Sequence, residues 1–267
     1  MRVNGTTVTP EVRVTVRGEI PVEAAGRAGK KVARLFRFAP RPVLAASVRL
    51  SRNENRSVEC PVVAQAGFDV SGRPVRAQVT APNAEEAIDR LCARLRRQLE
   101  RSTTYFRASR SVGLDADPGE WRHESAPAIR PPWYPRPEAE REIVRHKSYS
   151  LARSTIDEAY AEMHLLDYDF HLFTEAGSRQ DSVLYHAGPT MHRLAQLTPP
   201  GPHILSPFKL AVTISPQPAP LLSTMEAVER IGLTGLPFLF FLDAERGRGS
   251  VLYHRYDGHY GLITPAA

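Results

Sequence analysis

The sequence predicts an α+β protein. A β-α-β-β-β-α domain comes first, with two helices on one face of a four-stranded sheet. A Pro-rich linker and two copies of a small β-α-β-β-β module follow, the copies packed as an intramolecular pseudo-dimer. Three observations lead there. Alternating apolar runs fill the first 81 positions, broken by one helical stretch and followed by another. The pentapeptide Ser182-Val183-Leu184-Tyr185-His186 recurs unchanged as Ser250-Val251-Leu252-Tyr253-His254, 68 positions on. The charge is also divided: residues 1–110 carry 21 Lys or Arg against 10 Asp or Glu, and the remainder 14 against 19.

In the first domain, Val12, Val14 and Val16 alternate with Arg13, Thr15 and Arg17, the pattern of a half-buried strand. Pro21 opens a helical stretch to about Arg37. Three alternating runs follow: Leu44 to Leu50, Val58 to Phe68 with Pro61 marking an edge or bulge, and Val75 to Ala81. Asn83 with Glu86 three residues later starts a second helix, which runs to about Arg107. Its apolar side holds Ile88, Leu91, Cys92, Leu95 and Leu99. Arg90, Arg94, Arg97 and Arg101 form a stripe about 16 Å long on the opposite side. In the first helix, Arg27, Lys30, Lys31, Arg34 and Arg37 face away from Val32, Leu35 and Phe36. Ordinary exposed faces mix signs because like charges at i,i+4 repel. Two unmixed cationic faces point to a phosphate-binding surface.

Residues 111–140 are the linker, where Pro118, Pro127, Pro131, Pro132, Pro135 and Pro137 forbid a helix. Trp133 and Tyr134 within it are candidates for docking. The copies occupy residues 141–200 and 206–267, joined through Pro199 to Pro202. The offset of 68 also aligns Ala159 with Ala227, Leu165 with Leu233, Phe170 with Phe238, Phe173 with Phe241 and Leu194 with Leu262. Identity at a fixed period marks a duplicated unit. The first copy reads as strand Ile143 to Leu151, helix Thr155 to Leu166 and a hairpin of Asp169 to Thr174 with Ser182 to His186. The second reads as Leu210 to Ile214, helix Thr224 to Gly232, then strands Pro237 to Asp243, Ser250 to Arg255 and Tyr260 to Ile263. A module of this size is marginal alone. Two apolar sheet faces packed together bury each other, which assigns the pairing surface to Phe170, Leu172, Val183, Tyr185, Phe238, Phe240, Val251 and Tyr253.

Catalytic chemistry is not indicated. Cys60 and Cys92 lack metal-ligand spacing and sit at apolar positions. His164 and His171 have no third ligand at zinc-like spacing, and His186 and His254 end equivalent strands. No nucleophile elbow, phosphate-binding glycine loop or nucleotide fingerprint occurs. The reading is therefore a cytoplasmic protein that is not an enzyme, with no metal, cofactor, small-molecule substrate or membrane span.

These pieces resemble the long ribosome hibernation-promoting factors. The second helix carries Ala87-Ile88-Asp89, Leu91, Arg94-Leu95, Arg97-Gln98-Leu99 and Arg101; the first carries Lys31, Ala33, Arg34 and Leu35. The family's C-terminal module is matched twice, by Ile143-Val144-Arg145-His146-Lys147, Glu158-Ala159 and Asp169-Phe170, and by Val251 to Arg255, Asp257-Gly258 and Tyr260 to Ile263. The resemblance implies a dormancy factor whose basic domain lies in the channel of the 30S subunit, within the 70S ribosome. Lys31, Arg34, Arg94, Arg97 and Arg101 would contact 16S rRNA phosphates there, blocking mRNA and A- and P-site tRNA. The doubled module departs from the ordinary long factors and is similar to the dormancy-associated translation inhibitors. It favours pairing within the chain over pairing with a second copy, and single 70S particles over 100S pairs. The competing reading is a free-standing RNA-binding regulator or RNA chaperone with a protein-recruiting tandem module.

Overall fold

A computed structural model describes residues 10–53, 60–108, 136–186, 192–199, 201 and 204–266, with backbone only for 102–108. The chain clusters into two compact units, residues 1–131 with 164–168, and the rest. Most of the linker, including Trp133 and Tyr134, lies outside the described residues.

In the first unit, β1 (Val12–Arg17), α1 (Val22–Ala33), β2 (Val43–Arg52), β3 (Val62–Val70), β4 (Arg73–Ala81) and α2 (Ala84–Ala108) follow the expected order. The sheet runs β1-β2-β3-β4, with β1 parallel to β2 and the other pairs antiparallel. Asn83 Oδ1 accepts from the Glu86 amide at 2.9 Å and starts α2. Ile88, Leu91, Leu95 and Leu99 bury against Val48, Leu50, Ala64, Phe68 and Val75. Cys92 is half-buried beside them, and burial pushes its thiol up.

Three details differ from the sequence reading. α1 ends at Ala33 and tightens into a 3-10 turn over Arg34–Phe38. This turn buries Leu35 and sets the Phe36 ring edge-on to Phe68, at 5.3 Å. Pro40 then forces Ala39 into extended backbone (ψ 134°). Secondly, a register shift between Val43 and Ala45 turns Val43 inward and leaves Leu44 61% exposed. Thirdly, β3 starts after Pro61, which has no amide hydrogen for the ladder, so Cys60 lies outside the strand.

The second unit holds β5 (Ile143–Tyr149), β6 (Arg153–Ser154), α3 (Ile156–Leu165) except its last two residues, β7 (Phe170–Glu175), β8 (Asp181–His186) and β9 (His192–Gln196). Then come β10 (Thr213–Ile214), β11 (Leu221–Leu222), α4 (Thr224–Thr234), β12 (Phe238–Asp243), β13 (Gly249–His254) and β14 (Tyr260–Pro265). Each helix starts with the same reciprocal cap. Glu158 bonds back to Thr155, and Glu226 to Ser223. Leu166, given as the last residue of α3 by the sequence, lies past its end.

Two five-stranded sheets form, ordered β10-β9-β8-β7-β6 and β11-β12-β13-β14-β5. The first strand of each repeat therefore lies in the sheet of the other. β5 runs parallel to β14 over six residue pairs, and β10 parallel to β9 over two. This exchange corrects the assignment of each first strand to its own module. For β5 the cause is chain length. Occupying the edge beside β9 and then returning to the β6 edge spans four inter-strand steps, about 19 Å. The path from Tyr149 to Arg153 reaches at most about 14 Å. The strand must join the other sheet.

Candidate nucleic-acid interface

On α2, the residues at 85, 89, 96 and 100 line the flank nearest α1, because the helices lie side by side on the sheet. Arg27 pairs with Glu85 at 2.6 Å, and Lys31 with Asp89. Arg90 is held by Glu86 at 2.5 Å and donates to the Thr80 carbonyl at 2.9 Å. Arg94 is half-buried and grips Asp167 through Nε and Nη2, Nε lying 2.8 Å from Oδ2. Asp167 belongs to the short stretch 164–168 that clusters with this unit. Among the described residues, Arg27, Lys31, Arg90 and Arg94 of the predicted cations thus have carboxylate partners.

The others differ. Lys30, Arg34, Arg37, Arg97 and Arg101 are exposed. Among the described residues, no carboxylate pairs with Lys30, Arg34, Arg37 or Arg97. Phe38 joins the two helices: the Arg37 guanidinium lies 4.7 Å from its ring centroid and that of Arg96 4.6 Å. Arg96 also reaches Glu100 at 2.8 Å. The sequence reading missed Arg96 and Phe38, because wheel geometry puts Arg96 off the stripe and cannot show that the 3-10 turn approaches it. It also missed the open sheet face. Arg13, Arg17, Arg49 and Arg76 are exposed there, and among the described residues Asp69 is the acidic side chain on that face.

The eight residues predicted to pair lie together. Leu172, Val183, Phe240 and Val251 are buried with Ile263, and Phe170, Tyr185, Phe238 and Tyr253 pack around them. The equivalent rings Phe170 and Phe238 stack on each other at 4.7 Å, so a pseudo-two-fold passes between them. A separate core under α4 holds Ala227, Ile231, Phe241, Leu252 and Leu262. His254 is pushed down to about 4, by burial first and the Arg141 charge second, and is neutral at pH 7.

Residues 11–106 match the Sigma 54 modulation protein / S30EA ribosomal protein family. Residues 138–192 and 215–262 each match the Sigma 54 modulation/S30EA ribosomal protein C terminus. The chain belongs to the S30EA family. This family is non-enzymatic. The S30EA protein described here is similar to the Dormancy associated translation inhibitor of Mycobacterium tuberculosis (strain H37Rv), 35% identical over 263 residues, 96% of this chain and 89% of that one. It is also similar to the Ribosome hibernation promotion factor of Picosynechococcus sp., 27% identical over 145 residues, 52% of this chain and 71% of that one. Among solved structures, the Thermus thermophilus Protein Y N-terminal domain is 26% identical, with a TM-score of 0.29 over 34% of this chain and 98% of its own. No described helix is long and apolar enough to cross a membrane.

Proposed function

We propose that this S30EA protein is a ribosome hibernation factor of the cytoplasm. Its first domain enters the decoding channel of the 30S subunit and excludes mRNA and A- and P-site tRNA by volume. Similarity to a translation inhibitor over almost the whole chain is the observation that carries this reading. The chemistry supports it. Structured RNA is recognised through backbone charge and shape. Lys30, Arg34, Arg37 and Arg97 offer charge without a competing carboxylate among the described residues, on an α+β body that needs no base-reading groups. Arg27, Lys31, Arg90 and Arg94 contribute less, because a phosphate must displace an existing partner.

The tandem repeats pack their apolar faces on one another, so neither face is presented to a second ribosome-bound copy. The product is a single idle 70S particle. Sucrose-gradient sedimentation of purified protein with 70S ribosomes at ~150 mM salt tests both parts. The protein should travel with the 30S or 70S peak and add no 100S peak. Spread into light fractions would favour the RNA chaperone reading, and a 100S peak would overturn the internal pairing.

A further inference from the structure

Equivalent residues meet at a second point of the pseudo-two-fold. Asp181 opens β8 and Gly249 opens β13, at the repeat offset of 68. Asp181 is 4% exposed and accepts from the Gly249 amide at 2.9 Å. Arg248 binds it with two prongs, Nε at 2.8 Å and Nη2 at 3.0 Å, and Thr174 Oγ1 donates from its own sheet at 3.3 Å. The two halves of this contact are unlike. The first repeat supplies Gln180-Asp181, and the second supplies Arg248-Gly249 at the same places.

The approach is too close for two side chains. A Cβ on Gly249 would fall 2.7 Å from Asp181 Cβ and 2.9 Å from the Phe240 ring. The residue equivalent to Phe240 in the first repeat is the smaller Leu172, which leaves room for the Asp181 side chain. Two first repeats placed face to face would therefore bring Asp181 against Asp181, with overlapping Cβ atoms. Two carboxylates would be buried with glutamine where the guanidinium should be. Two second repeats would set Arg248 against Arg248 with no carboxylate between them and empty space over paired glycines. Arg248 is 42% exposed and keeps its hydration, so the penalty falls on the buried Asp181 carboxylate, which loses its guanidinium and meets a second carboxylate.

We propose that Asp181, Arg248 and Gly249, with Leu172 and Phe240 beside them, form an asymmetric key that restricts pairing to unlike repeats. The partner that each module accepts is a strand bearing the complementary half: Arg-Gly for the first repeat, Gln-Asp for the second. That partner is the other repeat of the same chain, and a like repeat on a second copy is refused. This inference goes beyond ribosome binding and does not depend on it. It explains specificity by repulsion as well as attraction, since the apolar cluster alone would not tell two similar faces apart.

The test uses the full chain in two versions, melted by near-UV circular dichroism. The like-key variant F240L/R248Q/G249D gives the second repeat the first repeat's half, with the Phe240 ring removed so that the new side chain fits its own sheet. The mirrored variant L172F/Q180R/D181G/F240L/R248Q/G249D exchanges both halves. The like-key protein should melt at least about 10 °C below wild type, or fail to fold. The mirrored protein, despite twice as many substitutions, should recover most of the loss and remain a monomer by light scattering. A like-key variant that melts with wild type would overturn the proposal. So would a mirrored variant no better than the like-key one.

Discussion

Replacing Lys30, Arg34, Arg37 and Arg97 together by Gln removes four exposed cations of the helical face that have no carboxylate partner among the described residues. If each neutralises one rRNA phosphate, four counterions fewer are released on binding. The slope of log K against log salt then becomes shallower by about 3, at roughly 0.7–0.9 per phosphate. Measured from a 1 M reference, where this contribution vanishes, the same change weakens binding by about 2.5 decades at ~150 mM salt. Fluorescence titration of labelled protein with 30S subunits from ~50 to ~300 mM salt reads both quantities. Folding should be little affected, because all four are surface sites. The charge-neutral control R27Q/E85Q removes an exposed ion pair and should bind within about twofold of wild type. An unchanged slope in the fourfold variant, with affinity within about threefold, would refute the assignment of this face to phosphate.

Other predictions concern the paired repeats. Gly261→Ala puts a Cβ 2.4 Å from the Tyr253 ring and should cost about 1–3 kcal/mol in denaturant unfolding; adding Tyr253→Val should return most of it. Phe238→Ala removes the stack on Phe170 and the edge contact with Tyr185, and should cost about 3 kcal/mol with new binding of an apolar dye. Ser223→Ala removes one half of the α4 cap and should cost about 1 kcal/mol in the same unfolding measurement. His254 is held near 4 when folded, against 6.5 when unfolded, so its contribution is full above pH 6.5 and is lost as pH falls toward 4. The loss is at most about 3 kcal/mol, and His254→Asn should flatten unfolding free energy across that window. Asp257 is different: burial pushes its carboxyl up, but Arg255 outweighs this and holds it below the ordinary value, so its loss falls at lower pH.

The duplication was plain in Ser182 to His186 and Ser250 to His254, because identity at one offset needs no structure to interpret. The faces of α2 and the pairing residues were also legible, since periodicity fixes which side of an element is apolar. Periodicity does not say which sheet edge a strand joins. The placement of β5 depends on strand order and connection length together, and no local pattern encodes that or the matching placement of β10. The Leu44 exposure arises from a bulge that shifts the alternation by one residue. The pairing of Arg27 and Lys31 with Glu85 and Asp89 depends on how α1 and α2 lie side by side, which neither helix reveals alone. The strand assigned from the sequence begins at Ser250 and leaves Gly249 out, and the meaning of that glycine appears once Asp181 is seen across the pseudo-two-fold.

Occlusion of the decoding channel is tested most directly by competition. 30S subunits loaded with labelled mRNA and P-site tRNA are titrated with this protein at ~150 mM salt, and retained label is counted on filters. Mutual exclusion predicts that both labels are lost together, completely, and that raising the mRNA concentration shifts the midpoint in proportion. A 30S particle that keeps its mRNA and tRNA while saturated with this S30EA protein would contradict the account.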